Sequence, residues 1–313
     1  MVRKRFLFAV MLPVIALLAG CSTKHNYDQP DAPRFEGRYA EPRPNFAGAL
    51  KVVTWNIKLS QEIDAAVAEL VGAEALRDAD ILLLQEMDEI GVEAIAQSLK
   101  YNYVYFPASV NTRHNRNVGN AILAKWPITE AKRLLLPFEN PVDKEKRVAA
   151  RAVLAVDGRE VVVYSVHTET VWLGQTKRMA QFDTILEDIN DRDRHVVIGG
   201  DFNTTLPSSV TKLEKRFTQA GFDRISTDIG ATFQLSGLGL TLDHIFTKGL
   251  SVQVVKTTEE TAASDHLPVA ATLNFEPDAG DPTELNPPAL ADYAAGGNLI
   301  STDTAPIPTA DQK

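Results

Sequence analysis

The chain has 313 residues, which is room for one large α/β domain or two small ones. A hydrophobic content of 44% is ordinary for a globular protein and sufficient for a sizeable core. The formal net charge of -9 argues against a general nucleic-acid coat protein, which would usually be basic, but it does not exclude an enzyme that meets phosphate through a local basic rim and a divalent cation.

The N-terminus has the pattern of a bacterial targeting segment. A basic head, Arg3 to Arg5, precedes a short apolar run that ends at Ala19 and is too short to span a membrane comfortably. The stretch Leu18 to Cys21 resembles a bacterial lipoprotein box, which implies cleavage before Cys21 and lipid attachment to it. The alternative is an ordinary signal peptide or anchor with an incidental cysteine. Because Ser22 is not acidic, we expect sorting to the outer membrane, on its periplasmic or surface side.

Two polar segments flank the part of the chain that has the pattern of a folded domain. Both are rich in proline and lack sustained periodicity, which is typical of linkers and disordered tails. The sequence therefore predicts a signal peptide over 1–20, a lipidated N-terminus and flexible tether over 21–47, a folded domain over 48–276 and a disordered tail over 277–313. Cys21 is the only cysteine, so no disulfide within the chain is expected.

Within the domain, apolar runs alternate with segments of helical spacing, which indicates a layered α/β fold. Strands are predicted at Leu50 to Trp55, Asp80 to Gln85, Tyr103 to Phe106, Asn120 to Ala124, Val148 to Val156, Glu160 to Val166, 195–199, Leu242 to Thr247, Leu250 to Lys256 and Leu267 to Asn274. Helices are predicted around Ile63 to Val71 and at Val92 to Leu99, Trp172 to Ile189 and Ser209 to Ala220.

Strand after strand ends on a polar side chain that can bind a metal or move a proton. These side chains are Asn56, Glu86, His167, Asp201 with Asn203, Asp243, and Asp265 with His266. Each alone has an ordinary structural role, such as a helix cap or a buried imidazole with a hydrogen-bond partner. Coincidence at all six of these strand ends is much less expected, and ligand sites in layered α/β proteins favour strand ends.

Seven short motifs lie along the predicted domain: TWNIK (54–58), LLLQE (82–86), GNAIL (119–123), YSVHTE (164–169), GGDFNTT (199–205), LDHIF (242–246) and SDHLPV (264–269). With these motifs, the chain resembles the endonuclease/exonuclease/phosphatase superfamily, which has the deoxyribonuclease-I-like fold. The resemblance implies an α/β fold of four layers, in which two packed, mixed and mostly antiparallel sheets are flanked by helices. It also implies Mg²⁺-dependent phosphoester hydrolysis, with Mn²⁺ as the alternative metal.

The resemblance also assigns roles to the strand-end residues. Glu86 is the expected principal metal ligand, with Asn56 beside it and Asp265 at the same metal or a second one. This fits the chemistry of Mg²⁺, which prefers oxygen ligands and needs only one or two carboxylates.

The water that attacks phosphorus needs a base that titrates near neutral pH, which suits histidine oriented by a carboxylate. The family pattern makes His266 with Asp243 that pair, while Asp201 is the rival base. The residues expected to contact the phosphoryl group or the rest of the substrate are Asn203, His167, Arg147 and Asn120, with Arg151 competing for the role of Arg147.

The substrate class stays open at this stage. Asp88 stands where deoxyribonuclease-I-like nucleases carry a basic residue, which weakens a DNA interpretation without removing it. A membrane-tethered nuclease and a phospholipid or small-phosphoester hydrolase therefore compete, with the membrane contacted through lipidated Cys21. The alternative from another class is a non-catalytic surface lipoprotein that binds a phosphorylated ligand. No protein partner is implied.

Overall fold

The computed structural model describes residues 25–276 except 31, 43, 112–113, 171–172 and 236. The predictions for the signal peptide, for lipidation of Cys21 and for the C-terminal tail lie outside these described residues. No helix in the described part of the chain is long and apolar enough to cross a bilayer.

The described chain forms sixteen strands and four α-helices. The strands are β1 His25–Asn26, β2 Phe35–Gly37, β3 Leu50–Asn56, β4 Ile81–Met87, β5 Asn102–Asn111, β6 Arg116–Ala124, β7 Ile128–Glu139, β8 Lys146–Val156, β9 Arg159–His167, β10 His195–Asp201, β11 Asp223–Arg224, β12 Phe233–Leu235, β13 Leu238–Leu240, β14 Asp243–Lys248, β15 Leu250–Thr257 and β16 Val269–Phe275. The helices are α1 Ile63–Gly72, α2 Glu89–Leu99, α3 Gln175–Glu187 and α4 Pro207–Gln219.

These strands make two large sheets and one small hairpin. The first sheet has the order β1-β5-β6-β4-β3-β16-β15, with β2 also paired to β5, and the second has the order β11-β14-β10-β9-β8-β7. Most neighbours are antiparallel, but β3 with β4 and β9 with β10 run parallel. Strands β12 and β13 pair with each other in the small hairpin, and Phe233 of β12 also forms an isolated β-bridge with His266.

Alternating side chains along the strands create three apolar layers. On β4, Leu83 faces the interior between the two sheets, whereas its neighbour Leu82 faces the layer that contains α1 and α2. Phe182 of α3 and Phe217 of α4 pack on the outer face of the second sheet. The fold is therefore the expected α/β sandwich of four layers, with helices outside two packed sheets.

The sequence missed strand β7, which forms an edge of the second sheet by pairing with β8. Its charged and solvent-facing residues conceal the alternation of a strand, and Pro137 lies near its end. An edge strand needs only one partner, so its sequence carries a weaker signal than that of a central strand.

Part of the segment predicted to be a flexible tether is attached to the folded domain. Phe35 pairs with Tyr105 of β5, and His25 pairs with Val110 of the same strand. Arg133 of β7 donates hydrogen bonds to the carbonyl oxygens of Ala32 and Pro107. The described part of 25–47 is therefore attached to the first sheet, because short strands can join an existing edge without a long apolar pattern of their own.

Candidate active site

The ends of β3, β4, β9 and β10 bring Asn56, Glu86, His167 and Asp201 together. The side of the two sheets formed by these strand ends, as distinct from an outer strand, is here called the polar edge. Asp201 is at its centre. Its Oδ2 atom lies 3.2 Å from Asn56 Nδ2, 3.5 Å from His167 Nε2 and 3.8 Å from His266 Nε2. The carboxylate thus joins groups that are far apart in the sequence and come from both sheets.

The close approach of β10 to β9 explains the second glycine of the GGD stretch. A Cβ atom on Gly200 would lie 1.9 Å from the carbonyl oxygen of Val166, so any side chain would push the two strands apart. Asp201, the next residue, is the register partner of both His167 on β9 and Asp243 on β14. The glycine therefore keeps three polar side chains at one level of the second sheet.

His266 and Asp243 form a buried pair beside Asp201. The Nδ1 atom of His266 lies 2.8 Å from Oδ2 of Asp243, whose side chain has no exposure. Burial alone would lower the pKa of His266, but the charges of Asp243 and Asp201 and the hydrogen bond outweigh it and raise that pKa to about 10. The other oxygen of Asp243, Oδ1, is buried without a hydrogen-bond partner in the described part of the chain.

For Asp201, burial outweighs the neighbouring positive charge. Burial raises its pKa to about 7, the charge of His266 opposes that rise, and the neighbouring charge of Asp243 adds to it. The carboxyl group also accepts hydrogen bonds from the backbone N–H of Asn203 at 2.9 Å and from Asn56. Burial therefore disfavours the negative charge of Asp201 more than these neighbours favour it.

Glu86 reaches the site through an unusual backbone conformation. Its φ is +56°, in the left-handed region, and the pairing of β4 with β6 shifts register between Leu84 and Met87. A bulge of this kind redirects a side chain at a sheet edge. Glu86 Oε1 consequently lies 3.2 Å from Asn56 Nδ2 and 4.0 Å from His167 Nε2.

Of the three predicted metal ligands, Glu86 and Asn56 lie beside Asp201, whereas Asp265 lies in an exposed ion pair. Glu86 and Asp201 are linked through Asn56, which faces both acids with its amide nitrogen while its Oδ1 accepts from the backbone N–H of Lys58. Asn56 would therefore have to turn its amide to offer oxygen to a metal. Asp265 instead forms an ion pair with Lys58 at 3.3 Å, and about two fifths of its side chain is exposed.

A second group of ligand atoms comes from Asp201, Asp243 and His266, which lie within 4.8 Å of one another. In that group the imidazole bonds one carboxylate and faces the other, so the ring itself supplies the positive charge between them. Glu86 with Asp201 is the better oxygen set for a hard divalent cation. A cation beside Glu86 and Asp201 would favour the charged form of Asp201, which burial disfavours.

Arg147, predicted to contact substrate, lies behind His167. Its Nη1 atom is 3.3 Å from His167 Nδ1, and its guanidinium is within 3.6 Å of Glu145 and 3.5 Å of Glu169. Burial disfavours the charge, but the two glutamates outweigh it and raise the pKa of Arg147. Since arginine can only donate, Nδ1 of His167 accepts, and neutral His167 carries its proton on Nε2, facing Asp201 and Glu86.

Asn203 is held by its backbone and by its side chain. Its amide nitrogen donates to the carbonyl oxygen of Thr168 at 2.9 Å, which leaves one of the two amide hydrogens for a phosphoryl oxygen. Its own carbonyl oxygen accepts from the buried guanidinium of Arg178. The residue has a φ of +51°, so these contacts hold a conformation that asparagine adopts more readily than most residues.

Asn120, also predicted to contact substrate, has a structural role instead. Its amide nitrogen donates to the carbonyl oxygens of Val148 at 2.8 Å and Ser165 at 3.0 Å, so both amide hydrogens are used. The side chain is 2% exposed and joins β6 of the first sheet to β8 and β9 of the second. A polar residue inside a strand, as Asn120 is in β6, can thus tie two packed sheets together, and its side chain has no amide hydrogen left for a substrate.

Asp88 directly follows β4 at the same edge, but its side chain has a structural role. Its Oδ1 atom accepts from the backbone N–H of Gly91 at 2.7 Å and so caps α2. Its other oxygen forms a close ion pair with Arg116 at the start of β6. The acid that stands where deoxyribonuclease-I-like nucleases carry a basic residue is therefore already paired with a basic residue of its own chain.

Sequence reasoning missed the residues that support the site from behind. These are Arg178, Gln181, Glu145, Glu169 and Thr168. A signal existed for the first two: they occupy core-facing positions of α3 together with Phe182 and Ile185. Polar residues in a helical stripe that is otherwise buried require partners, which here are the loops that carry Glu169 and Asn203.

Comparison with known proteins decides the family. Residues 53–266 match the model of the Endonuclease/Exonuclease/phosphatase family. The chain belongs to this family. Membership of this family supports a hydrolase of the phosphoesterase or nuclease type.

Two relatives and two solved structures show the extent of the likeness. A UPF0294 protein of Vibrio cholerae is 30% identical over 115 residues, which cover 36% of this chain and 40% of that protein. The chain thus matches well under half the length of that relative. A UPF0294 protein of Yersinia pseudotuberculosis is 27% identical over 247 residues, covering 76% of this chain and 87% of the relative.

Among solved structures, an endonuclease/exonuclease/phosphatase from Beutenbergia cavernae has a TM-score of 0.61 at 19% identity and covers 73% of this chain and 72% of its own. The mannosyl-6-phosphatase of Bacteroides thetaiotaomicron has a TM-score of 0.57 at 18% identity, with coverages of 72% and 100%. At these identities the likeness shows the fold alone, which is the deoxyribonuclease-I-like fold.

Proposed function

We propose that the protein is a Mg²⁺-dependent phosphoester hydrolase held at a bacterial envelope membrane, in the outer membrane, by lipidated Cys21. The observation that carries the chemistry is the convergence on Asp201, where Asn56, His167 and His266 approach one carboxylate within 3.8 Å. Glu86, 3.2 Å from Asn56, adds the second acid. A binding module would not need both a carboxylate pair and a buried histidine.

In this proposal Glu86 holds the cation, with Asp201 and the turned amide of Asn56 as further ligands. When bound, a divalent cation neutralises the phosphoryl oxygens and stabilises the leaving oxygen. Asp265 lies at the exposed rim with Lys58, so it is not needed for a first metal.

The chain's own groups position the attacking water and the phosphoryl group. Asp201 and His266 are neighbours at 3.8 Å, and one of these two accepts the proton of the water. Asp243 fixes the His266 ring through Nδ1 and leaves Nε2 toward Asp201. The Nε2–H of His167 and the second amide hydrogen of Asn203 donate to the phosphoryl oxygens as negative charge builds on them.

A substrate panel tests the chemistry. We would incubate the full-length protein with supercoiled DNA, RNA, sphingomyelin, phosphoinositides and a chromogenic phosphate bis-ester, each with Mg²⁺ and with EDTA. We expect Mg²⁺-dependent turnover that Glu86→Gln lowers at least about 100-fold, since this change removes one charge at constant shape. Glu74→Gln, at an exposed glutamate on the surface, is the matched control.

Turnover by Glu86→Gln at saturating Mg²⁺ equal to that of the wild type would remove Glu86 as principal ligand. Phosphate-ester binding without turnover of any substrate would favour the non-catalytic lipoprotein. The anchor is tested separately by mass spectrometry of the mature protein, which should find an acylated N-terminal Cys21, and by Cys21→Ser, which should release the protein or leave the signal uncleaved.

A further inference from the structure

The described chain begins at the polar edge. Strand β1 pairs with the end of β5, with His25 opposite Val110. Strand β6 pairs with both β5 and β4, and on it Val110 of β5 is opposite Asn117, whereas Met87 of β4 is opposite Gly119. His25 therefore lies slightly beyond the level of Glu86, on the outer side of the same edge.

The next residues fasten this segment to the mouth of the active site. Asn26 donates to the carbonyl oxygen of Lys144 at 2.8 Å and accepts from the backbone N–H of Lys146 at 2.9 Å. Lys146 also pairs with Asp28 at 2.6 Å. Lys146 directly precedes Arg147, whose guanidinium contacts His167. The N-terminal segment is therefore connected to the active site through Lys146 and Arg147.

The chain between this segment and the proposed lipid is short. Cys21 precedes His25 by four residues, and an extended chain spans at most about 3.5 Å per residue, so the two Cα atoms are at most about 14 Å apart. The tether predicted over 21–47 would have allowed the domain to move far from the membrane and turn freely. With residues from His25 onward bound to the domain, a lipid on Cys21 holds the polar edge close to the bilayer.

The loops around this edge expose apolar side chains. Phe138 at the end of β7 is 46% exposed and Val142 in the following loop is 74% exposed, close in the chain to Lys144 and Lys146. Lys177 lies over the Phe138 ring at 5.3 Å. Other exposed apolar residues adjoin the polar edge in sequence, namely Ile90, Leu206 and Leu238. Apolar side chains interleaved with lysines suit the interface of a bilayer that carries phosphate headgroups.

We propose that the polar edge docks on the same bilayer that holds the lipid anchor, with Phe138 and Val142 at the interface, and that the substrate is the phosphate ester of a lipid headgroup. This rests on the proposed hydrolysis and on lipidation of Cys21. The anchor fixes the distance, the pairing of β1 fixes which edge faces the membrane, and the apolar loop supplies the contact.

The test uses the full-length acylated protein in phospholipid vesicles, with vesicle phospholipid and soluble bis(p-nitrophenyl) phosphate as parallel substrates. One variant carries six copies of the helical spacer EAAAK between Lys24 and His25, which adds about 45 Å of semi-rigid length. We expect it to lose at least about fivefold in vesicle hydrolysis and nothing with the soluble ester, because the active site keeps its structure and only its distance from the bilayer changes.

A second variant tests the contact surface. Phe138→Asp with Val142→Asp should lower vesicle hydrolysis at least about tenfold while leaving the soluble ester unaffected. The matched control is Val252→Asp with Val254→Asp, since these two valines are 44% and 42% exposed on β15, the other edge strand of the first sheet. It should change neither activity.

Equal vesicle hydrolysis by the wild type and the spacer variant would overturn this inference, as would an unacylated Cys21. Hydrolysis of DNA or RNA in preference to vesicle phospholipid would overturn it as well. In each case turnover of the soluble ester would leave the proposed chemistry standing, whereas loss of turnover on every substrate would count against that chemistry itself.

Discussion

Asp243 holds His266 by a 2.8 Å hydrogen bond to Nδ1, and this bond determines which ring nitrogen faces Asp201. The two residues come from different sheets, since Asp243 begins β14 and His266 precedes β16. The pair therefore acts as one unit only while the sheets stay packed.

We expect His266→Ala to lower kcat by roughly 10²–10⁴-fold, which is typical of the loss of a group that moves a proton. Asp243→Asn should cost less, because the ring remains and only its orientation and charge balance change. The double variant should be little worse than His266→Ala, since residues that act as a unit are not additive. Rate losses that multiply would separate the two residues and make Asp201 the leading base.

The same pair predicts a pH dependence of stability in EDTA. Folding raises the pKa of His266 from 6.5 to about 10, so the folded protein binds this proton more tightly than the unfolded chain. The resulting stability is fully present below pH 6.5 and is lost as the pH rises through about 10. Asp201, raised from 3.8 to about 7, acts in the same direction at lower pH.

Urea unfolding of the wild type should therefore show a falling free energy of unfolding between pH 7 and pH 10, above the window of Asp201. His266→Gln removes the titrating ring, so its free energy should fall much less over this range. Parallel curves for the two proteins would show that the Asp243 and Asp201 charges do not stabilise an imidazolium at this position.

Arg147 gives a prediction about stability that separates it from a substrate contact. Glu145 and Glu169 are 5% and 1% exposed, and Arg147 is the cation between them. Arg147→Met leaves both acids buried without that cation, which should cost roughly 3 kcal/mol in the free energy of unfolding. Adding Glu145→Gln and Glu169→Gln should recover part of this loss. A purely substrate-binding arginine would change KM and leave the unfolding curve in place.

Local patterns in the sequence were enough to predict most strands and to name the residues at their ends. The run Ile81 to Leu84 is buried on both faces, and a central strand with that pattern ends predictably at its first polar residues. What followed each strand was also informative, as Asp201 and His266 show, because rigid strands leave their end residues little freedom of position.

The sequence could not show what depends on partners from elsewhere in the chain. Asn120 looks like a site residue, but its two acceptors are the carbonyl oxygens of Val148 and Ser165, on strands of the other sheet. Arg147 likewise has its role set by Glu145 and Glu169, and Glu169 comes from the loop after β9, far from Arg147 in the sequence. The attachment of β1 and β2 to β5 is equally non-local.

The left-handed backbone of Glu86 is another feature that no sequence pattern indicated, and it leads to the last prediction. For a residue with a Cβ atom that conformation costs about 1–2 kcal/mol of free energy, whereas glycine adopts it freely. Glu86→Gly should therefore raise the free energy of unfolding by about 1 kcal/mol in EDTA, once the greater freedom of glycine in the unfolded chain is subtracted. The same variant should lack turnover, because the carboxylate beside Asn56 is gone.

Glu86→Ala is the matched control, since it removes the carboxylate but keeps the Cβ atom and hence the backbone strain. We expect Glu86→Ala to be inactive without the gain in stability that Glu86→Gly shows. The bulge would then be a place where stability is given up to aim a carboxylate at the active site. Equal unfolding free energies for the glycine and alanine variants would instead mean that the +56° conformation carries no strain at this position.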